Sequence, residues 1–131
     1  IDAIATDHAP HADWEKEAEF AAAPFGIAGL ETALGVCVKT LIEPKHLTWA
    51  QLIEKLSARP AAIAGLAGGT LKPGSEANLT LIDPQAQWTV EPKQFVSKCR
   101  RSPFAGWTLR GRVTHTIARG GVVFAEACHP S

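Results

Sequence analysis

One short apolar run, followed at once by a reactive polar segment, constrains this chain more than any other feature. Residues 1–6 alternate weakly and contain two isoleucines, which predicts a buried strand. Thr6–His11, "TDHAPH", then places one carboxylate and two imidazoles within six positions. A proline- and glycine-containing loop to residue 26 and a helical pattern follow. One strand, one loop and one helix make a single βα unit, which cannot close a sheet. The chain therefore predicts either a small metal-binding domain or the last part of something larger.

The barrel interpretation gives the reactive segment a physical place. In a (β/α)8 barrel, reactive residues lie in the loops that follow the carboxyl ends of the strands, where Asp7 stands here. Apolar spacing and end signals predict the helices that come next. Pro44 ends the first of them, and Thr48, with Gln51 three residues on, caps the second. The predicted helices cover residues 27–43, 49–57 and 60–66.

The pattern changes from helical to β near Gly68 and Gly69. Short alternating segments predict strands in "ANLTLIDP", in "QWTV" and twice in "GRVTHTIARGGVVF", the last two joined by a turn at Gly120-Gly121. We expect an α/β fold with two parts. Residues 1–66 would form the C-terminal end of a TIM-type barrel, with its last strand, loop and helices. Residues 67–131 would form part of a small β-sandwich domain.

Composition excludes several classes of protein. Of the 131 residues, 46% are apolar and 20% charged, and thirteen basic residues balance thirteen acidic ones, so neither nucleic acid nor membrane is an expected partner. Three widely spaced cysteines argue against a disulfide scaffold or a zinc finger and favour the cytoplasm: Cys37, Cys99 and Cys128. The chain begins with Ile1 inside the apolar run, which we interpret as a piece of a longer protein.

Asp7 and His11 carry the chemistry that the residues alone suggest. An aspartate at a strand end can bind a divalent metal, accept a proton, or do both in turn. His11 is suited to donate a hydrogen bond to a substrate oxygen. Asp7 can equally begin a turn or cap a helix, and both histidines can be solvated loop residues. Catalytic zinc takes three protein ligands, and this segment offers Asp7 and at most one histidine.

Five longer motifs, which follow one another along the chain, are more specific than the pattern of Asp7 and His11. They are "IDAIATDHAPH", "KEAEFAAAPFGIAGLETAL", "ARPAAIAGL", "LKPGSEANLTLIDP" and "SPFAGWTLRGRVTHTIARGG". Together they resemble the C-terminal third of the dihydroorotases of the longer bacterial type, in the amidohydrolase superfamily, over residues 1 to 124. Dihydropyrimidinases and allantoinases also carry an Asp-His pair after the last barrel strand. His11 and the "PFGIAGLET" segment favour the dihydroorotases.

The resemblance implies roles for four residues. Asp7 would ligate zinc and shuttle the proton, and His11 would bind the substrate carboxylate. Phe25 and Gly26 would contact the pyrimidine ring through their backbone, while His8 would have no ligand role. The implied reaction is the reversible closure of N-carbamoyl-L-aspartate to L-dihydroorotate in pyrimidine synthesis. One or two zinc ions would serve it, and the other ligands would lie outside this chain.

Two other functions remain open. The parent protein could be a dihydropyrimidinase- or hydantoinase-like enzyme, or a non-catalytic dihydroorotase-like subunit that supports aspartate transcarbamoylase. The implied partners are a small-molecule substrate, the rest of the dihydroorotase chain, and further copies of the protein or aspartate transcarbamoylase. Because only Asp7 is a matched metal ligand, we expect the isolated 131-residue chain to be inactive.

Overall fold

The computed structural model describes residues 1–126, so Cys128 and His129 lie outside the described residues. Within them, short helices precede a three-stranded antiparallel sheet of order β1-β2-β3. No helix in this part of the chain is long and apolar enough to cross a bilayer. The helices are α1 (Asp13–Lys16), α2 (Ala33–Cys37), α3 (Trp49–Ile53) and α4 (Arg59–Ile63), and the strands are β1 (Leu79–Thr89), β2 (Thr108–Ala118) and β3 (Gly121–Ala125).

The predicted buried strand over residues 1–6 is wrong for this structure. These residues belong to no strand, and Ile1 is fully exposed. A strand requires a neighbour that shares its backbone hydrogen bonds. Here the Ile4 N–H donates to the Lys55 carbonyl at 3.0 Å, and no strand among residues 1–126 runs beside this segment. Lys55 Nζ also donates to the Ile1 carbonyl, so Lys55 holds this irregular segment at two points.

The first long helix begins with α2 and continues as a π-helical turn over Val38–Ile42. It ends before Pro44, as predicted, but it begins at Ala33 and not at residue 27, because residues 27–32 form the bridge to His8 and a turn. Gly35 faces the sheet so closely that an added Cβ would lie 2.8 Å from Leu109 Cδ1. Glycine at this position lets the helix backbone approach β2, and the approach fixes the helix on the sheet.

The second long helix was predicted as two, and this prediction is wrong. The segment from α3 through a π-helical turn at Glu54–Ala58 into α4 is continuous. Arg59 N–H donates to the Glu54 carbonyl, five residues back, so the wider turn brings the chain to Pro60 without needing its missing N–H. The predicted cap is confirmed, because Thr48 Oγ1 accepts from the Gln51 N–H at 3.3 Å and Gln51 Oε1 accepts from the Thr48 N–H at 2.9 Å.

The strand β1 also joins two predicted elements. "ANLTLIDP" and "QWTV" were predicted as separate strands, but both pair with β2 and form one strand with a bulge between Asp83 and Gln87. Inside the bulge, Asp83 Oδ1 accepts from the Gln85 and Ala86 N–H groups, at 2.8 and 3.1 Å. The carboxylate thus replaces the ladder hydrogen bonds that the bulge removes.

The predicted hairpin near the chain end is confirmed, with its turn shifted by one residue. Ala118 pairs with Gly121, so Arg119 and Gly120 form the turn. Both have positive φ, 49° and 80°, as a two-residue type I′ turn requires. Asn78 supports the turn by accepting from the Arg119 N–H at 2.9 Å.

The core lies between the sheet and the loops beside the predicted site. Its buried members are Ala28, Val90, Phe95, Cys99 and Leu109. Phe104, packed against this cluster, meets Trp107 edge to face, with ring centroids 5.2 Å apart. Ala28 directly follows the loop that contains Phe25 and Gly26, so the core anchors one side of the candidate site.

Candidate functional site

Two loops that are far apart in sequence lie side by side at the predicted site. His8 and Ile27 form a parallel β-bridge, and the Ala9 N–H donates to the Ile27 carbonyl at 2.9 Å. His11 Nε2 lies 2.8 Å from the Phe25 carbonyl oxygen, within hydrogen-bond distance. We call these two segments, residues 7–11 and 25–27, the paired loops. All four residues that the resemblance singled out stand on them.

Gly26 makes this pairing possible. Its φ is 128°, in a region that side chains rarely adopt. A Cβ built at this position would lie 2.6 Å from the Ala9 carbonyl oxygen and 3.2 Å from His11 Cδ2. Both distances are shorter than ordinary contacts. The loop therefore needs glycine for its conformation and also for its closeness to the reactive segment.

Asp7 has a conformation unusual for a residue with a side chain. Its φ is 45°, in the left-handed region, and it is exposed to solvent. Aspartate tolerates this region better than most residues, but the surroundings must still hold it there. The result is a carboxylate presented outward at the start of the paired loops, accessible to a ligand.

Both ring nitrogens of His11 face protein groups. Nε2 faces the Phe25 carbonyl, and Nδ1 lies 3.6 Å from Glu15 Oε2. Glu15 is itself fixed, since Oε2 also accepts from the Ala12 N–H at 2.8 Å at the start of α1. To donate to a substrate oxygen, the imidazole must release one of these two contacts.

Phe25 offers its backbone to the site, and its ring lies in solvent. The side chain is 97% exposed, so it packs against nothing in the described structure. The neighbouring Pro24 carbonyl accepts from Lys16 Nζ at 2.6 Å. This contact ties the second of the paired loops to α1, and it holds Phe25 beside His11.

Both ring nitrogens of His8 face groups of the protein. Its Nδ1 accepts from the Gly29 N–H at 3.0 Å and from the Leu30 N–H at 3.3 Å, and its Nε2 lies 3.5 Å from Ser97 Oγ. Both ring nitrogens are thus engaged with protein groups. That His8 has no ligand role stays a prediction.

Glu31 and Ser97 were not found by sequence reasoning. Glu31 Oε1 accepts from the Ser97 N–H at 2.8 Å, across 66 residues of sequence. Burial opposes ionisation and acts to raise the pKa of Glu31, but the Ser97 hydrogen bonds outweigh it and hold that pKa below its ordinary value. The only sequence signal was a carboxylate inside the apolar pattern of "GLETAL"; Ser97 had none.

Zinc fits this site in one respect only. The exposed Asp7 can supply one hard oxygen ligand. Within residues 1–126, no group of three or more histidine, cysteine, aspartate or glutamate side chains could hold a metal ion. A catalytic zinc site takes three protein ligands, so the described residues can contribute to such a site but do not complete it.

The amidohydrolase family model matches residues 1–123. The chain belongs to the amidohydrolase family. It is 51% identical over 123 residues to a dihydroorotase of Geotalea daltonii, a match that covers 94% of this chain and 29% of the relative. This amidohydrolase chain thus spans less than a third of the relatives it matches. The predicted resemblance to the dihydroorotases is confirmed.

Solved structures of other amidohydrolases share the fold. An L-hydantoinase (dihydropyrimidinase) from Arthrobacter aurescens matches with a TM-score of 0.86 at 33% identity, over 94% of this chain and 28% of that protein. A D-hydantoinase (dihydropyrimidinase) from a Thermus species also matches with a TM-score of 0.86, at 28% identity, over 95% of this chain and 28% of that protein. The helices and small antiparallel sheet therefore form an amidohydrolase-type arrangement.

Proposed function

We propose that this amidohydrolase chain is the C-terminal part of a dihydroorotase, which interconverts N-carbamoyl-L-aspartate and L-dihydroorotate. The observation that carries the proposal is the pairing of the two loops. It brings Asp7, His11, Phe25 and Gly26 together although up to 19 positions separate them. Relatives named dihydroorotase, 45–51% identical to this chain, support the same substrate.

The proposed architecture places residues 1–66 at the C-terminal end of a (β/α)8 barrel and residues 67–131 in part of a small β-sandwich domain. The position of Asp7 at the start of a loop that leads to the first long helix supports the first assignment. The antiparallel sheet that begins with β1 supports the second. In this arrangement the paired loops lie at the catalytic end of the barrel.

Asp7 has two tasks in the proposed reaction. Its carboxylate would be one of the ligands that hold zinc. Zinc, when bound, supplies Lewis acidity to the amide carbonyl and to the attacking water. During hydrolysis, Asp7 accepts a proton from that water and then delivers it to the ring nitrogen as the carbon–nitrogen bond breaks. Ring closure runs through the same proton transfers in reverse.

His11 recognises the carboxylate of dihydroorotate. A hydrogen bond to a charged group contributes about 1.5–3 kcal/mol, enough to distinguish this substrate from an uncharged ring. Because the Phe25 carbonyl and Glu15 hold the imidazole, the substrate carboxylate must displace one of them. Glu15 is the weaker contact, at 3.6 Å, so we assign it as the contact that the substrate carboxylate displaces. Since Nε2–H donates to the Phe25 carbonyl, donation from Nδ1 as well requires the doubly protonated imidazole.

A hydantoinase-like activity is the second candidate, because solved hydantoinases share the arrangement. The substrate carboxylate distinguishes the dihydroorotase activity from the hydantoinase-like one, since simple hydantoins and dihydrouracil have no carboxylate. An association with aspartate transcarbamoylase and a location in the cytoplasm stay predictions.

The deciding experiment compares substrates on the full-length protein. We expect kcat/KM for L-dihydroorotate to exceed that for 5,6-dihydrouracil, which has the same ring without the carboxylate, by about 10- to 150-fold, the equivalent of one charge-assisted hydrogen bond. Residues 1–131 expressed alone should hydrolyse neither. Equal values for both substrates would contradict the dihydroorotase proposal and favour the hydantoinase-like one.

A further inference from the structure

A chain of polar contacts leads from the loop that carries Asp7 into the β part of the molecule. It begins at the ring of His8, one residue after Asp7. Two backbone N–H groups, of Gly29 and Leu30, point at His8 Nδ1. A nitrogen that accepts two donors carries no proton, so the proton of the neutral ring is on Nε2.

That proton points to Ser97. His8 Nε2–H donates toward Ser97 Oγ at 3.5 Å, the outer limit of a hydrogen bond. Glu31 holds Ser97 in place, because Glu31 Oε1 accepts from the Ser97 N–H at 2.8 Å. The second carboxylate oxygen, Oε2, is buried without a hydrogen-bond partner among the described residues. The contacts therefore link His8, through the hydroxyl and then the backbone N–H of Ser97, to Glu31.

These contacts restrict the position of Asp7, which directly precedes His8. Asp7 is exposed, so the backbone must set the direction of its carboxylate, and that backbone is in the left-handed region. The bridge to Ile27 and the ring of His8 fix the next residue on both its backbone and its side chain. We propose that Ser97 and Glu31 are positioning residues for Asp7 and act through the ring of His8. The proposal rests on the role given to Asp7 above.

The test is a double-mutant cycle in the full-length protein. Ser97→Ala removes the hydroxyl, and His8→Asn keeps an acceptor for the two N–H groups but loses the link to Ser97. Each should lower kcat for dihydroorotate about 10- to 100-fold, the usual loss when a partner of a metal ligand is removed, with KM within twofold. Since both cut the same link, the double variant should be no worse than either single one. Ser97→Thr should restore kcat.

Glu54→Gln is the matched control for Glu31→Gln. Both remove one carboxylate charge, but Glu54 forms an exposed ion pair with Arg59 on the helix surface. The control should retain the kcat of the unsubstituted enzyme, and Glu31→Gln should lose about as much as Ser97→Ala.

Cobalt(II) gives a measurement independent of turnover. In full-length protein loaded with Co²⁺ and without substrate, Ser97→Ala should shift the visible absorption of the metal, and Ser97→Thr should not. The positioning role is overturned if Ser97→Ala lowers the unfolding temperature alone and leaves kcat per folded chain and the cobalt spectrum unchanged, or if the losses in the cycle add. If the unsubstituted enzyme hydrolyses hydantoin and not dihydroorotate, the proposed function fails, and the same cycle is measured on hydantoin.

Discussion

Substitution of Gly26 by alanine tests the pairing of the two loops most directly. A φ of 128° is strained for any residue with a side chain, at about 1–3 kcal/mol. The new Cβ would also lie 2.6 Å from the Ala9 carbonyl oxygen, so the loops must separate. Separation breaks the Ala9–Ile27 and His11–Phe25 hydrogen bonds, each worth about 0.5–1.5 kcal/mol. We expect the paired loops to lose about 2–6 kcal/mol of local stability.

Amide hydrogen exchange measures this loss at the place where it occurs. The Ala9 N–H is protected by its hydrogen bond to Ile27, and a loss of about 2 kcal/mol should speed its exchange about 30-fold or more. Gly74→Ala is the matched control, because Gly74 also has a positive φ, 87°, but no atom within 4 Å of the added Cβ. The control should leave exchange at Ala9 unchanged. Slow exchange at Ala9 in Gly26→Ala would refute the close approach of the loops.

Four further predictions follow from the site and its supports. In the full-length enzyme, Asp7→Asn should lower kcat for dihydroorotate by about 10²- to 10⁴-fold in steady-state assays, because it removes the proton carrier. His11→Ala should lower kcat/KM about 10- to 150-fold, much of it through KM, and leave the zinc content unchanged, as elemental analysis would confirm. Gly35→Ala should destabilise the protein by about 1–3 kcal/mol in urea unfolding, because its Cβ would meet Leu109 at 2.8 Å. Since the folded pKa of Glu31 is lowered, its stabilisation should be complete above about pH 4.3 and lost as pH falls through the folded pKa, and Glu31→Gln should weaken this acid dependence of unfolding.

Local signals in the sequence were sufficient for elements that local interactions stabilise. The Thr48 cap depends on residues three positions apart, and the hairpin at Arg119-Gly120 depends on two residues of positive φ. The cap appears where the pattern predicted it, and the hairpin turn lies one residue earlier than predicted. The break predicted before Pro60 was wrong because a π-helical turn, which has no clear sequence signal, continues the helix to that proline. The strand predicted over residues 1–6 failed because a strand depends on a neighbour, which no local pattern reveals.

The candidate site likewise contains residues that the sequence identified and contacts that only the structure revealed. Asp7, His11, Phe25 and Gly26 were assigned roles from resemblance, and spacing alone did not predict that their loops pair in parallel. Those roles stay predictions. The contacts through Ser97 were beyond sequence reasoning altogether, since they join positions 66 and 89 residues apart and a serine in an irregular segment has no distinguishing pattern.

The pairing of the loops also bears on how this family can diversify. The contacts of Ala9 with Ile27 and of His11 with Phe25 fix both ends of the intervening segment, residues 12–24. The closure entropy of a flexible segment grows slowly, by about 0.6 kcal/mol for each doubling of its length. Insertions between Lys16 and Pro24, beyond the contacts of Glu15 and Lys16 that hold His11 and Phe25, would therefore cost little energy. Relatives can thus vary the length of this part of the segment while Asp7 keeps its place in the paired loops.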